Sequence, residues 1–252
     1  MRRWRYESAR DLGLGRRARF ASVRREIGVT EWLLHHLACS TLRLLLGGFE
    51  HLEVVGRDRL PARPPFVVVS NHCSHLDALA LSAALPMTAR DRLFPIAAAD
   101  TFFNSPSATI MATHLLNALP IRRGGCGAHA IADLRKRLMN DPCGYILFPE
   151  GTRSRTGALG PFRPGIGMLV AGLDVPVVPC HLGGTFAAWP PHRPVPAAGH
   201  VQVWVGSALR FDDVRNDRAG WEHIAHQLEA TVRSLGDRAS ASISGSRRTI
   251  GT

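Results

Sequence analysis

The 252-residue chain carries 31 Lys and Arg against 20 Asp and Glu, a formal net charge of +11, and 45% of it is hydrophobic. This composition excludes wholesale disorder and provides for a sizeable packed core, while the charge favours anionic partners: nucleic acid, a phosphorylated small molecule or an acidic membrane surface. The five cysteines, Cys39, Cys73, Cys126, Cys143 and Cys180, are scattered without a CxxC pair, which argues against a disulfide framework or a zinc site and fits a reducing compartment.

Residues 1–26 are arginine-rich, lack the apolar core of a secretory signal and are expected to be poorly ordered. Over the helix expected at 27–48, the stretch EWLLHHLACSTLRLLLGGF (residues 31–49) gathers His36, Ser40 and Arg43 on one side of a helical wheel, with leucines over most of the rest. At 1.5 Å per residue, Trp32 to Leu46 reaches roughly 22 Å, short of the ~30 Å hydrocarbon core, and Arg43 would sit inside it. Two readings fit: a helix packed on the domain, or an amphipathic helix lying in a membrane interface, to which the arginines just upstream would be drawn by anionic lipid.

From residue 52 onward, short apolar runs alternate with helical patterns. HLEVVG, PFVVVS, LFPIAA, NALPI, GYILFP, VPVVPC and VQVWVG read as strands; helices are expected after Ser74, around 105–116, 128–139 and 165–172, and from about 218 to 235. The alternation predicts a single α/β domain over 27–236, with a largely parallel sheet flanked by helices and its active site at the carboxyl ends of strands. The terminal segment 237–252 is rich in Ser and Gly and is expected to be a disordered tail.

Two polar clusters follow apolar strands. In SNHCSHLDAL, residues 70–79, Ser74 and Asp77 have the spacing of a capping box opening a helix that Pro86 ends. Side chains at a helix start lean toward its N-terminus, so Asp77 points back toward His72. A carboxylate on one imidazole nitrogen leaves the other a competent base for an alcohol, with no serine or cysteine nucleophile required. His75, nearer in sequence, would project sideways and reads as a surface or packing residue. In YILFPEGTRSRTG, residues 145–157, Gly151 allows a tight turn, and Thr152, Arg153 and Ser154 offer donors to an anion; a generic basic surface loop is the plainer reading.

NHCSHLD and FPEGTRS, in that order, resemble the two diagnostic blocks of the glycerolipid acyltransferase family, and of the 1-acylglycerol-3-phosphate acyltransferases in particular. ALPIRRG is similar to the block between them and VPVVPC to the fourth, so the resemblance spans roughly residues 50–185. It implies that His72 deprotonates a glycerol hydroxyl while Asp77 holds it. It also implies that Arg153, with Glu150, Gly151, Thr152 and Ser154, belongs to the block that binds the acceptor phosphate, and that Arg123 is the arginine of the middle block. Ile-Arg-Arg replaces the acidic residue that often precedes that arginine, so Arg122 and Arg123 both stand as candidates. FRPG has Pro164 where a second basic residue is usual.

The implied reaction moves a fatty acyl group from acyl-CoA or acyl-ACP to the sn-2 hydroxyl of lysophosphatidate, without metal or other cofactor, at the cytoplasmic face of an anionic membrane to which the protein is peripheral or monotopic. Another lysolipid acceptor, such as a lyso-ornithine lipid, is the nearest variant. A separate class remains on spacing: a GxGxxA turn beginning at Gly125, with Glu150 about 25 residues on, resembles an NAD-binding unit. Nucleic-acid binding has only charge in its favour, since no recognisable module or interleaved aromatics accompany the arginines.

Overall fold

The computed structural model describes residues 50–90, 92–98, 116–121, 127–193 and 195–249, together with 11, 13–15, 22, 25, 32–37, 40, 41, 109, 112 and 113. All seven expected strands form: β1 (Glu50–Val55), β2 (Phe66–Ser70), β3 (Leu93–Ala98), β4 (Leu119–Ile121), β5 (Gly144–Leu147), β6 (Val177–Gly183) and β7 (Gly199–Val205). Among the described residues from 50 onward, the α-helices are α1 (Asp77–Ala84), α2 (Met87–Arg90), α3 (Gly127–Asn140), α4 (Gly165–Val170), α5 (Thr185–Ala188) and α6 (Arg218–Thr249); residues 32–37 are helical as well. The helix expected around 105–116 falls mostly outside the described residues, as do nearly all of residues 1–26.

The strands make one sheet in the order β1-β7-β6-β2-β5-β3-β4. Five neighbouring strands, from β6 to β4, run parallel; β7 is antiparallel to β6, and β1 pairs parallel with β7. The largely parallel sheet expected from the alternation is therefore mixed at one edge. The connection from β6 to β7 carries only the single helical turn of α5, too little helix to carry the chain back across the sheet as a parallel crossover requires.

β2 is buried at every position, as a strand covered on both faces must be. Its alternation sends Phe66 and Val68 into a core shared with α1, and Val67 and Val69 into a second core beneath α3, α4 and α6. In α6, Ile224, Ala225, Leu228, Val232, Leu235 and Ala239 recur at helical spacing as one buried stripe. With β2 and β5 adjacent and parallel, the segments leaving their carboxyl ends emerge side by side, and these segments are the two polar clusters.

The tail expected from 237 is corrected: α6 runs through it to Thr249. Extending an existing helix adds a hydrogen bond per residue without a new nucleation cost. The extension also carries Ala239, 4% exposed, onto Trp204 beside Leu235. Gly236 permits this approach, because a Cβ there would lie 2.7 Å from Cε1 of His181. Ending the chain after Gly236 removes the Ala239 contact, a loss on the order of 1 kcal/mol that lowers the melting temperature by roughly 2–4 °C; an unchanged melting temperature in calorimetry would contradict this packing.

Candidate active site

The segment leaving β2 is fixed from three directions. Asn71, buried, takes over the strand's role with its side chain: Nδ2 donates to the carbonyl of Leu182 at 3.0 Å, and Oδ1 accepts from the Leu182 N–H at 2.8 Å and from the Ser70 hydroxyl at 3.1 Å. Ser74 donates its hydroxyl to the carbonyl of Trp189 at 2.7 Å and accepts from the Leu76 N–H at 3.0 Å. The capping box forms in half: Asp77 reaches back to the Ser74 N–H as expected, while the Ser74 hydroxyl serves Leu76.

Asp77 is fully buried, and its Oδ2 accepts three hydrogen bonds: from the Cys73 N–H at 2.7 Å, the Ser74 N–H at 2.8 Å and His72 Nδ1 at 2.8 Å. A carboxylate only accepts, so the ring proton belongs on Nδ1 and Nε2 keeps a lone pair. The imidazole, 18% exposed, stacks on Phe148 with ring centroids 4.1 Å apart. Carboxylate below and aromatic face alongside leave one edge of the ring for a reactant. Cys73, next in sequence, is no rival nucleophile: burial first, then the Asp77 charge, pushes its thiol up to about 12.

The loop after β5 is tied to His72 itself. The His72 N–H donates to Glu150 Oε1 at 2.7 Å, the Gly160 N–H donates to Oε2 at 2.9 Å, and the Ser154 N–H donates to the His72 carbonyl at 2.7 Å. Glu150 is buried, and burial raises its pKa despite those two backbone donors. Both of its oxygens are engaged by backbone N–H groups, which ties the segments leaving β2 and β5 together. Gly151 sits at φ +75°, where a Cβ would stand 3.0 Å from Nε of Arg163, whose Nε donates to the Glu150 carbonyl. Beyond this wall opens a pocket of about 450 Å³ whose lining includes Glu150, Thr152, Ser154, Phe162 and Arg163. α6 reaches the same loop, since Glu229 accepts the Phe162 N–H at 3.0 Å.

Arg153 turns toward the other cluster. Its Nη1 lies 2.6 Å from Nδ1 and 2.9 Å from Nε2 of His75. His75 is therefore more than the surface or packing residue suggested by its sequence position. Its ring contacts Trp189 at 5.1 Å, and its pKa is lowered, first by burial and then by the Arg153 guanidinium. Nothing in the spacing marked it, because its partner lies 78 residues away. Arg122 and Arg123 lie outside the described residues.

The carboxyl edge of the mixed α/β sheet thus carries a histidine–carboxylate pair joined through backbone to an arginine-bearing loop. The family model described as Acyltransferase matches residues 51–183, just over half the chain, and the chain belongs to that family. It is 32% identical over 143 residues to the 1-acyl-sn-glycerol-3-phosphate acyltransferase alpha of Mus musculus, covering 55% of this chain and 49% of that protein. It is 26% identical over 219 residues to the 1-acyl-sn-glycerol-3-phosphate acyltransferase of Saccharomyces cerevisiae, covering 82% and 68%. The chain spans about half the length of the first of these relatives. The crystal structure of the 1-acyl-sn-glycerophosphate (LPA) acyltransferase PlsC from Thermotoga maritima shares the fold, with a TM-score of 0.61 at 21% identity over 83% of this chain and 79% of that one.

The dinucleotide reading is overturned by this membership. Glu150, which that reading assigns to a ribose, is occupied by the His72 and Gly160 N–H groups. Replacing Glu150 with Ala leaves both of these donors unpaired beneath the loop, at a cost on the order of 1–3 kcal/mol. Urea unfolding checks this, and an unchanged midpoint would show that the tie between the two clusters contributes nothing.

Proposed function

We propose that the protein transfers a fatty acyl group from acyl-CoA or acyl carrier protein to the sn-2 hydroxyl of 1-acylglycerol 3-phosphate, forming phosphatidate. The observation that carries this reading is the 2.8 Å bond from His72 to buried Asp77, on a backbone hydrogen-bonded to the FPEGTRS loop. His72 Nε2 takes the hydroxyl proton as the oxygen attacks the thioester carbonyl, and Asp77 stabilises the imidazolium that forms. The tetrahedral adduct then collapses, the carbon–sulfur bond breaks, and the imidazolium returns its proton to the departing thiolate. An ester and a free thiol result, with no acyl-enzyme. General-base assistance of this kind contributes roughly 10²–10⁴-fold.

Arg153, with the donors of Thr152 and Ser154, is the proposed holder of the acceptor phosphate, a charge-assisted contact worth roughly 1.5–3 kcal/mol. Arg122 and Arg123 are the further candidates for that role. Access to a lipid acceptor is proposed to come through peripheral attachment at the cytoplasmic face of an anionic membrane. Residues 32–37 are helical, with Trp32, Leu33, Leu34 and Leu37 exposed, and among the described residues no helix is long and apolar enough to cross a membrane. A partly exposed apolar helix on a chain of charge +11 suits an interface.

The test is an acceptor panel with labelled acyl-CoA on vesicles containing anionic lipid. Lysophosphatidate is expected to outpace lyso-ornithine lipid and monoacylglycerol by tens of fold. His72→Ala is expected to abolish turnover while vesicle binding stays unchanged. Turnover retained by His72→Ala removes the proposed base, and equal rates on all acceptors remove the phosphate reading.

A further inference from the structure

We propose that His75 is a positioning residue for the acceptor: its neutral ring accepts an N–H from Arg153 and holds the guanidinium where a lipid phosphate monoester binds. This inference rests on the acceptor reading above and assigns a residue that neither of the two motif blocks requires. A neutral imidazole has one donor and one acceptor, and both are used at His75. Arg153 Nη1 lies within 3 Å of both ring nitrogens, 2.6 Å from Nδ1 and 2.9 Å from Nε2, and the ring makes a further hydrogen bond to the backbone of Pro191. The backbone fixes the ring from below, since the His75 N–H donates to the Trp189 carbonyl at 3.3 Å while the Trp189 ring packs against it. His75 is thus clamped between the β2 exit and the segment following α5 before any ligand arrives.

The guanidinium gains from this clamp. A free arginine side chain loses rotamer entropy each time it grips an anion. Anchoring one N–H on a fixed acceptor removes part of that loss in advance. Protonation of His75 reverses the effect, because an imidazolium offers Arg153 no lone pair and repels its charge. The groups acting on His75 are Arg153 from the loop after β5, His72 and Asp77 from its own segment, and the Pro191 backbone from the connection to β7. Of these, burial and Arg153 dominate and lower its pKa from the usual 6.5. Because the folded value is depressed, the neutral contact is fully present above pH 6.5 and is lost as the pH falls through the lower, folded value.

Steady-state kinetics on the full chain, comparing wild type with His75→Ala and His75→Gln, test the proposal. At about pH 8, His75→Ala is expected to raise KM for lysophosphatidate about tenfold, with KM for acyl-CoA unchanged and kcat within about threefold. His75→Gln, whose amide oxygen accepts in place of the ring, restores most of the affinity. As pH falls below 6.5, the wild-type KM for lysophosphatidate should climb more steeply than that of His75→Gln, which corrects for protonation of the phosphate itself. An unchanged KM in His75→Ala overturns the proposal, as does a pH profile that wild type and His75→Gln share; should His75→Ala fail to fold, that pH comparison decides alone. A wild type with no preference for lysophosphatidate over monoacylglycerol removes the acceptor reading and this inference together, whereas a preference that survives in His75→Ala removes His75 only.

Discussion

One carboxylate oxygen organises this site. Asp77 is fully buried at the start of α1, and its Oδ2 collects the N–H groups of Cys73 and Ser74 as well as the ring of His72. An ionised carboxylate in such a place is tolerated only when it is well supplied with donors, and here those donors are the chain entering the helix. The turn between β2 and α1 therefore has to fold back on Asp77, and the same folding aims the imidazole outward. Structure and chemistry share a single acceptor, so the histidine is oriented as a consequence of closing the helix entrance.

The remaining architecture delivers a second loop to that turn. Adjacent parallel strands must end side by side, which brings the segments after β2 and β5 together, and Glu150 joins them by accepting from His72 and Gly160. α6 supports the arrangement from the far face of the sheet, lending Glu229 to Phe162 in the loop that lines the pocket. A buried glutamate raised in pKa and a buried aspartate holding a histidine are thus two carboxyl groups with different duties. One ties backbone to backbone, and the other steadies a ring.

Local pattern carried much of this into the sequence. FVVV and YIL read as buried strands, and the backward lean of side chains at a helix start was enough to bring His72 and Asp77 together on paper, since five residues separate them. Relations across the sheet were less legible. His75 meets Arg153 only because β2 and β5 are neighbours, and Glu150 binds the backbone of a residue 78 positions earlier, which no spacing rule announces. The antiparallel turn of β7 depended on how little helix α5 provides, and the helical course of 237–249 on Gly236 lying against His181, a contact that composition does not record. In each case the deciding interaction was tertiary, and local propensity pointed elsewhere or nowhere.

The account stands on Asp77 acting through the imidazole. Asp77→Asn keeps the side-chain volume but withdraws the carboxylate that fixes the proton on Nδ1 and that, in the proposed reaction, stabilises the imidazolium. Rapid-mixing kinetics of acyl transfer to lysophosphatidate measure the chemical step directly. A fall of about 10²–10⁴-fold in its rate, with KM for both substrates within a few fold of wild type, is the predicted result. A rate within threefold of wild type in a folded Asp77→Asn protein would contradict it.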